Sequence, residues 1–285
     1  MRVSPRSLNG LALPVVAAAL LATTGCVDIV GADLNRYVER DEKHFTVSGK
    51  PDVALTTFDG SIEIRPWDKP DVEVVIEKRG RDHADVAEIE VKAEQHGNRI
   101  EVGIVQPKRE HGFNLHFGNR SARLIVSMPA SSDVTAKSGD GSIEIERIAG
   151  RVQLRSGDGS IRGTMLGGDV DANTGDGSIK LDGKLTGLQV HTGDGSVTIH
   201  ADSGSAPSGD WSITTGDGSV TLELPEDFGA ELDAHTGDGS IRMHDLTLSN
   251  VTGTIGKSTV RGRLGNGGHA VKVRTGDGSI TLRKS

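Results

Sequence analysis

Cysteine, proline and aromatic residues are all scarce in this sequence. One cysteine, Cys26, stands among 285 residues, and aromatic side chains make up 3% of them. A single cysteine excludes a disulfide within the chain, so packing and hydrogen bonds have to stabilise it. The sequence has nine prolines and 39 glycines, and the glycines do not recur at every third residue, which excludes collagen. This glycine content is also too high for a helical bundle. The composition predicts frequent turns around small aliphatic side chains.

Basic residues are also too few for a protein that binds nucleic acid. The chain carries 32 Lys and Arg against 40 Asp and Glu. Removing residues 1–25, which include Arg2 and Arg6, leaves 30 basic and 40 acidic residues and a net charge of −10. A surface of that sign repels phosphate, so we expect no nucleic-acid partner.

The apolar stretch at residues 11–22 is too short to span a bilayer and follows two arginines, which is typical of an export signal at residues 1–25. The run Thr23-Thr24-Gly25-Cys26 resembles the lipobox of bacterial lipoproteins, although Thr23 stands where leucine is usual. The resemblance implies that Cys26 becomes residue one and carries a lipid. We therefore predict an exported, membrane-anchored lipoprotein, periplasmic or at the cell surface. An ordinary signal peptide followed by an unmodified thiol is the alternative.

The next two segments differ in their patterns. Residues 26–44 are polar, alternate in charge and have no apolar face, which predicts a tether. Between residues 45 and 135, period-two segments predict strands, so this part is interpreted as a β-rich N-terminal segment and cap. The turn His96-Gly97-Asn98 predicts a hairpin between residues 89–93 and 100–104.

A repeat is the strongest signal in the sequence. Gly-Asp-Gly-Ser followed by Ile or Val occurs seven times, and Phe58-Asp59-Gly60-Ser61-Ile62 is a distant relative of it. Gaps of 18, 18, 18, 23, 21 and 39 residues separate the aspartates, and the last gap divides into 19 and 20 if residues 256–260 are a degenerate copy. This spacing predicts eight coils of about 18 to 23 residues within residues 136–285. The seven aspartates are Asp140, Asp158, Asp176, Asp194, Asp217, Asp238 and Asp277.

Each repeat contains two short runs in which alternate residues are aliphatic, such as Ile179 and Leu181, then Leu188 and Val190. This fixed parity predicts one buried and one wet face per strand. The inward side chains of one coil contribute about 6 to 12 kcal/mol. Ordering 18 residues costs about 1 to 2 kcal/mol for each, so coils have to stack. The predicted fold is all-β: a right-handed parallel β-solenoid preceded by the β-rich segment.

These features resemble a known family. The Gly-Asp-Gly-Ser-Ile turns, the strand-rich segment ending in Val126-Ser127-Met128-Pro129 and the lipoprotein leader are similar to the bacterial β-strand-repeat domain family labelled putative adhesin, a family of unknown function. The resemblance covers residues 45–285. It implies a solenoid with an adhesin or scaffold role, and it implies no activity.

The seven aspartates permit two interpretations. Stacked carboxylates are able to coordinate Ca²⁺, as in the β-rolls of secreted toxins. However, the opposite turn lacks a second acidic ligand, and Lys257 would interrupt the column. A structural role is favoured, in which each aspartate hydrogen-bonds within its own turn and the glycines adopt backbone angles closed to other residues. No cofactor or metal ligand is assigned, and a weak cation site stays as the alternative.

Hydroxyl residues precede each turn with inward parity, which predicts a ladder of hydrogen-bonded hydroxyls. Seven equivalent carboxylates argue against a glycosidase pair, and no histidine recurs beside the hydroxyls to act as a base, so no catalytic residue is predicted. A non-enzymatic envelope adhesin or scaffold is the favoured function. A calcium-binding β-roll and a polysaccharide-active β-helix enzyme are the alternatives. The hydroxyl residues are Ser138, Ser156, Thr174, Thr192, Thr215, Thr236 and Thr275.

Residues 107–120 depart from the repeat because they concentrate aromatic, histidine and basic side chains. An exposed loop would bind an envelope or surface partner through Phe113, His116 and Phe117. A buried one would cap the apolar end of the first coil, and this interpretation is favoured because an open solenoid end has to be covered.

Overall fold

The computed structural model describes residues 37–105, 120–253 and 257–285, and strands dominate these residues. The short helix α1, His83–Ala87, lies between β4 and β5. No helix among the described residues has the length and apolar character needed to cross a membrane. The strands are β1 Tyr37–Phe45, β2 Asp52–Thr57, β3 Ile62–Trp67, β4 Val72–Gly80, β5 Glu90–His96, β6 Arg99–Val105, β7 Ser121–Pro129, β8 Asp133–Ser138, β9 Ile143–Glu146, β10 Ala149–Ser156, β11 Ile161–Thr174, β12 Ile179–Thr192, β13 Val197–Ala201, β14 Trp211–Thr215, β15 Val220–Leu224, β16 Ala230–Thr236, β17 Ile241–His244, β18 Leu248–Gly253, β19 Thr259–Leu264, β20 Ala270–Thr275 and β21 Ile280–Lys284.

The strands form two faces of one stack. Face A holds the strands that follow a Gly-Asp-Gly-Ser corner, and face B holds those that precede it. Neighbouring strands on each face are parallel and pair like residues, as Ile161 pairs with Ile179 on face A and Val152 with Val170 on face B. We call a rung one strand of face B together with the face A strand that follows it in the chain. By their pairing with β2 and β3, β6 belongs to face B and β7 to face A. The parallel β-solenoid predicted from the repeat is confirmed, while its right-handedness stays a prediction.

The core lies between the two faces and consists of aliphatic columns. Leu181, Ile199 and Leu222 occupy one column on face A, and each is fully buried. On face B, Trp211 takes the place that valine and leucine hold in other rungs, and its indole packs on Phe228 with ring centroids 5.1 Å apart. The indole Nε1 also donates to the Thr186 carbonyl at 3.1 Å, which satisfies its one polar atom.

The order of rungs in space differs from their order in the chain at both ends of the stack. Rung β2/β3 lies between β6/β7 and β8/β9. Rung β20/β21 lies between β14/β15 and β16/β17. Nine rungs are present among the described residues, in the spatial order β6/β7, β2/β3, β8/β9, β10/β11, β11/β12, β12/β13, β14/β15, β20/β21 and β16/β17, with β11 and β12 each serving two rungs.

Antiparallel strands cover the outermost rungs. At the N-terminal end, β4 pairs with β7, β1 with β4, and β5 with β6, and at the other end β19 pairs with β16 and β18 with β19. In β1, Glu39, Asp41 and Lys43 have the same parity as the buried Phe45. Lys78 of β4 donates to Glu39 at 3.3 Å, so ion pairs close the apolar end. Inward charges of this kind stop a further strand from adding to the stack.

Four expectations about organisation can be checked on these residues. The hairpin predicted around residues 96–98 is confirmed, because β5 and β6 pair antiparallel. The tether predicted for residues 26–44 is wrong for residues 37–44, since they belong to β1. The division between a β-rich segment at 45–135 and a solenoid at 136–285 is also wrong, because β2 pairs in parallel with β8. The degenerate coil expected at residues 256–260 is wrong for the described residues 257–260, because β19 begins at Thr259 and runs antiparallel to β16.

Candidate functional site

The Gly-Asp-Gly-Ser corner is built around a buried hydroxyl. Thr192 donates from Oγ1 to the carbonyl of Gly177 in the preceding rung at 2.9 Å and accepts from the Gly195 amide of its own corner at 3.3 Å. The same bond to the neighbouring rung recurs at each of the seven positions, so the predicted hydroxyl ladder is confirmed. Thr57 extends the ladder, because it donates to the Ala122 carbonyl at 2.9 Å.

The corner glycines are required by the closeness of the rungs. The amide of Gly193 donates to the Gly175 carbonyl at 2.6 Å, and a Cβ on Gly193 would lie 2.7 Å from that same oxygen. Among the corner glycines of the described rungs, Gly60 alone has a positive φ, at 138°. The expectation that the paired glycines adopt angles closed to other residues is therefore wrong for the seven repeats. The absence of a side chain is what matters, because a carbonyl of the next rung occupies its place.

The aspartates between these glycines form an exposed column. All seven point into solvent, and among the described residues none of their carboxylates takes part in a hydrogen bond or ion pair. The predicted bond of each aspartate within its own turn is therefore wrong, because the Ser or Thr hydroxyl performs that function instead. Asp59 belongs to the same column, since Gly139 stacks on the Phe58 carbonyl.

The column is continuous along the stack. In space, Asp217 is followed by the Asp277 rung and then by the Asp238 rung. Lys257 lies beyond this end, where its carbonyl accepts from the Ile241 amide at 3.2 Å, so the expected interruption at Lys257 is wrong. Partial burial and the neighbouring charge of Asp140 raise the pKa of Asp59. Like charges therefore repeat about every 4.8 Å over eight rungs.

A polar groove lies at the opposite corner, where face A strands lead into face B. Two open cavities of about 200 and 360 Å³ adjoin here, and both are lined by Asp133 and Arg151. Asp52, Val134, Thr135 and Gln153 complete the lining of the smaller cavity, and Lys50, Gly150, Gly168, Asp169 and Thr186 complete that of the larger. We call these residues together the second-corner groove.

Asp133 is the most constrained group of the second-corner groove. Its Oδ1 accepts from Lys50 Nζ at 2.6 Å and from the Arg151 backbone amide at 2.7 Å. Burial alone would raise the pKa of Asp133, but these donors outweigh it and lower the pKa below the ordinary aspartate value. The carboxylate is therefore ionised at neutral pH, and its second oxygen is available as an acceptor.

Asp169 and Arg151, which also line the groove, differ in whether their side chains already have a hydrogen-bond partner. Asp169 accepts from the Thr186 hydroxyl at 2.7 Å. The exposed Arg151 guanidinium makes neither a hydrogen bond nor an ion pair to any described residue. An arginine in that state presents its full set of donors to a ligand. The second-corner groove therefore combines carboxylate acceptors with an open cationic donor.

Sequence reasoning missed this groove although a signal for it exists. Asp133, Arg151 and Asp169 are separated by 18 residues each, which is the period of the corner aspartates. The pairing of β10 with β11 places Arg151 directly beside Asp169. Because the residue type changes from rung to rung, the column is invisible to a search for identical repeats.

A second cluster also escaped the sequence analysis. Glu42 and His44 of β1 and Glu73 of β4 bring their ligand atoms within 4.8 Å of one another on the outside of face A. His44 Nε2 lies 3.1 Å from a Glu42 oxygen, and its Nδ1 lies 3.6 Å from a Glu73 oxygen. The two ring nitrogens thus face different carboxylates at the surface of the cap.

The remaining predicted residues lie outside the described parts of the chain. These are Cys26, predicted to carry lipid, and Phe113, His116 and Phe117 of the predicted partner loop. Arg120, which follows that loop, is described, and its guanidinium holds Asp85 and Glu88 near α1 at 2.7 and 2.6 Å.

Comparison with known families decides which one this chain belongs to. The model of the Toastrack DUF4097 family matches residues 52–283, which includes every rung. This chain belongs to the Toastrack DUF4097 family. The match begins at β2 and ends in β21, so the Toastrack domain includes both the early rungs and the repeats. The resemblance found in the corner motifs is thereby confirmed at the level of the family, whose function is unknown.

Solved structures similar to the Toastrack chain differ widely from it in sequence. A putative cell adhesion protein from Clostridium sporogenes is 16% identical, with 87% of this chain and 100% of that one covered and a TM-score of 0.39. A putative adhesin from Bacteroides fragilis is 9% identical, with 86% and 97% covered and a TM-score of 0.35. A putative lipid binding protein from Parabacteroides distasonis is 12% identical, with 85% and 96% covered and a TM-score of 0.30. Superpositions this loose say nothing about what the Toastrack chain binds. No match was found among curated proteins.

Proposed function

We propose that this protein is a non-enzymatic adhesin or scaffold of the cell envelope, exported and anchored through a lipid on Cys26. The observation that supports it is the form of the outer surface, in which side chains recur in columns along nine rungs. Rungs about 4.8 Å apart make such a surface about 38 Å long. A long polar surface with repeated groups suits binding of an extended polymer better than turnover of one bond.

The proposed anchor limits where this surface is held. Ten residues, 27–36, separate Cys26 from the start of β1. At most about 3.5 Å per residue, they reach no farther than about 35 Å. Since β1 covers the N-terminal end of the stack, a lipid on Cys26 would keep that end near the membrane.

Palmitate labelling in a bacterial host tests the anchor. Wild type is expected to incorporate radiolabelled palmitate and Cys26→Ser to lose it. Thr23→Leu is the matched control, because it restores the usual lipobox residue and keeps the acceptor, so its labelling should equal or exceed that of wild type. Equal labelling of wild type and Cys26→Ser would refute the lipid anchor.

Capture experiments test the adhesin or scaffold function. The immobilised mature chain, beginning at Cys26→Ser, is expected to retain a component of envelope or extracellular extracts that a heat-unfolded sample does not. The retained polymer should be recovered chemically unchanged. New reducing ends in a polysaccharide panel would instead indicate an enzyme, and failure to retain any component would contradict the function.

A further inference from the structure

The second-corner groove is the strongest unassigned feature of the molecule. It crosses four successive rungs, because Asp52, Asp133, Arg151 and Asp169 pair in order along face B. Gly150 and Gly168 line the larger cavity with backbone, and a Cβ on either would meet a carbonyl of the neighbouring rung, at 2.2 and 2.6 Å. The groove is therefore a continuous depression along the solenoid and not a set of isolated surface residues.

Ion pairs within the groove leave the Arg151 guanidinium and the Asp169 carboxylate without an oppositely charged partner among the described residues. Lys50 offsets Asp133, and Arg99 offsets Asp52, each with an N–O distance of 2.6 Å. Arg151 has no such partner among the described residues, and Asp169 is bonded only to a neutral hydroxyl. The groove thus offers one free cation and one free anion in adjacent rungs, about 4.8 Å apart along the axis.

The side chains that line the groove indicate which class of ligand it is able to bind. A protein partner would need aromatic or aliphatic anchors, and apart from the fully buried Val134 the lining contains none. The phosphates of a nucleic acid accept hydrogen bonds but do not donate them, so they would leave the carboxylates of Asp52, Asp133 and Asp169 without donors. A sugar supplies hydroxyls for Asp133, Asp169, Thr186 and Gln153, and a sugar carboxylate matches the planar fork of arginine.

We propose that the second-corner groove binds an acidic polysaccharide, with a uronate carboxylate on Arg151 and sugar hydroxyls on Asp133 and Asp169. This inference rests on the proposed adhesin function and names the ligand class for it. Asp133 is suited to its role because Lys50 and the Arg151 amide fix its carboxylate. Thr186 bridges toward the next rung through Asp169, which aligns the site along the solenoid axis.

Titration calorimetry with short oligogalacturonates tests the assignment. Wild type is expected to bind saturably, and Arg151→Gln to bind about 10- to 100-fold more weakly, as for loss of a charge-assisted bidentate pair. Arg162→Gln is the matched control, because Arg162 is also exposed and unpaired among the described residues but lies on face A. It should bind like wild type. Unchanged melting temperatures would show that both variants fold.

Three results would overturn the inference. The first is no oligogalacturonate binding by wild type, the second is equal weakening in both arginine variants, and the third is equally tight binding of oligoglutamate, which would indicate general attraction of anions or a peptide ligand. These results leave the proposed function separately testable. If the immobilised chain still captures an envelope component, only the groove assignment fails, whereas loss of all capture contradicts the function itself.

Discussion

At the scale of single residues, the distance between rungs decides which side chains the corners accept. A Cβ on Gly175 would lie 2.7 Å from the Gly157 carbonyl, and the same backbone oxygen accepts the Gly175 amide. Neither group is able to move without breaking the hydrogen bond that joins the rungs. Glycine is thus fixed by packing, although its φ here is one that other residues adopt.

Substituting Gly175 by alanine tests this argument. Gly175→Ala should lower the free energy of unfolding by roughly 1 to 3 kcal/mol, as in other overpacked sites. Gly103→Ala is the control, since no atom lies within 4 Å of a Cβ there and its φ is not positive. Urea unfolding followed by circular dichroism measures both. Equal stability of the two variants would mean that the corners are able to widen.

Asp85 shows how one charge organises the capped end. It is 3% exposed and accepts from Arg81 Nε and Arg120 Nη2, both at 2.7 Å. The hydrogen bonds from Arg81 and Arg120 hold the pKa of Asp85 far below the ordinary value. Arg120 thereby connects the start of β7 to α1, so this carboxylate joins two parts of the cap.

The loss of that carboxylate should depend on pH. Asp85→Asn is expected to destabilise the protein by about 1 to 2 kcal/mol at neutral pH, a value reduced because Arg81 is half exposed. A carboxyl group whose pKa is lower in the folded state stabilises the protein at pH values above its unfolded pKa of about 4. That stabilisation is lost as the pH falls from there toward the folded-state pKa. Wild type and variant should therefore converge in acid, as measured by urea unfolding between pH 7 and pH 2. Asp68→Asn, at an exposed turn, is the control and should show no such difference.

At the scale of elements, the exposed aspartate column opposes the stacking that the hydroxyl ladder supports. Each internal aspartate has two like charges about 4.8 Å away, and each pair repels by about 0.9 kcal/mol in water. The hydroxyls lie directly beneath and bind consecutive rungs, as Thr192 does with Gly177. Solvent exposure of the carboxylates limits the repulsion, so the column persists.

Neutralising one internal aspartate should therefore stabilise the protein. Asp176→Asn is expected to raise the free energy of unfolding by about 0.3 to 1 kcal/mol at low salt, with a smaller gain at high salt because ions screen exposed charges. Asp227→Asn, exposed but outside the column, is the control. Thermal unfolding with and without a chelator completes the experiment, and we expect no effect of the chelator. A chelator-dependent melting temperature would favour the calcium β-roll.

At the scale of the whole molecule, the last strands of the chain lie inside the stack. β20 separates β14 from β16, and β21 separates β15 from β17. The penultimate rung in space is thus the final one in sequence. β16 and β17 therefore pair in parallel with the solenoid through β20 and β21.

Truncation tests this topology. A chain ending at residue 268 should lose amide-exchange protection in β17, residues 241–244, because β17 loses its parallel partner β21. β16 keeps its antiparallel partner β19, and residues 179–201 keep their own partners. A chain ending at Arg283 is the control, since it retains the buried Ile280 and Leu282. Retained protection of residues 241–244 in the shorter chain would contradict the interleaved order.

The sequence by itself determined the strands of the repeats, their buried parity and their parallel stacking, because identical corners every 18 residues leave little choice of register. It also placed the hydroxyl ladder, since Thr192 and its equivalents share the inward parity. Cys26 and the residues Phe113, His116 and Phe117 stay predictions, since they lie outside the described residues.

Only the tertiary structure decided the rung order, the continuity of the aspartate column past Asp277 and the second-corner groove. The physical reason is that periodicity specifies what a rung looks like but not which rung is its neighbour. Near both ends, an antiparallel cap strand and a parallel rung are each able to pair with the same strand edge, and packing determines which of them does so. The pairing of Arg151 with Asp169 follows from the 18-residue period, but the structure was needed to show that these unlike residues line one groove.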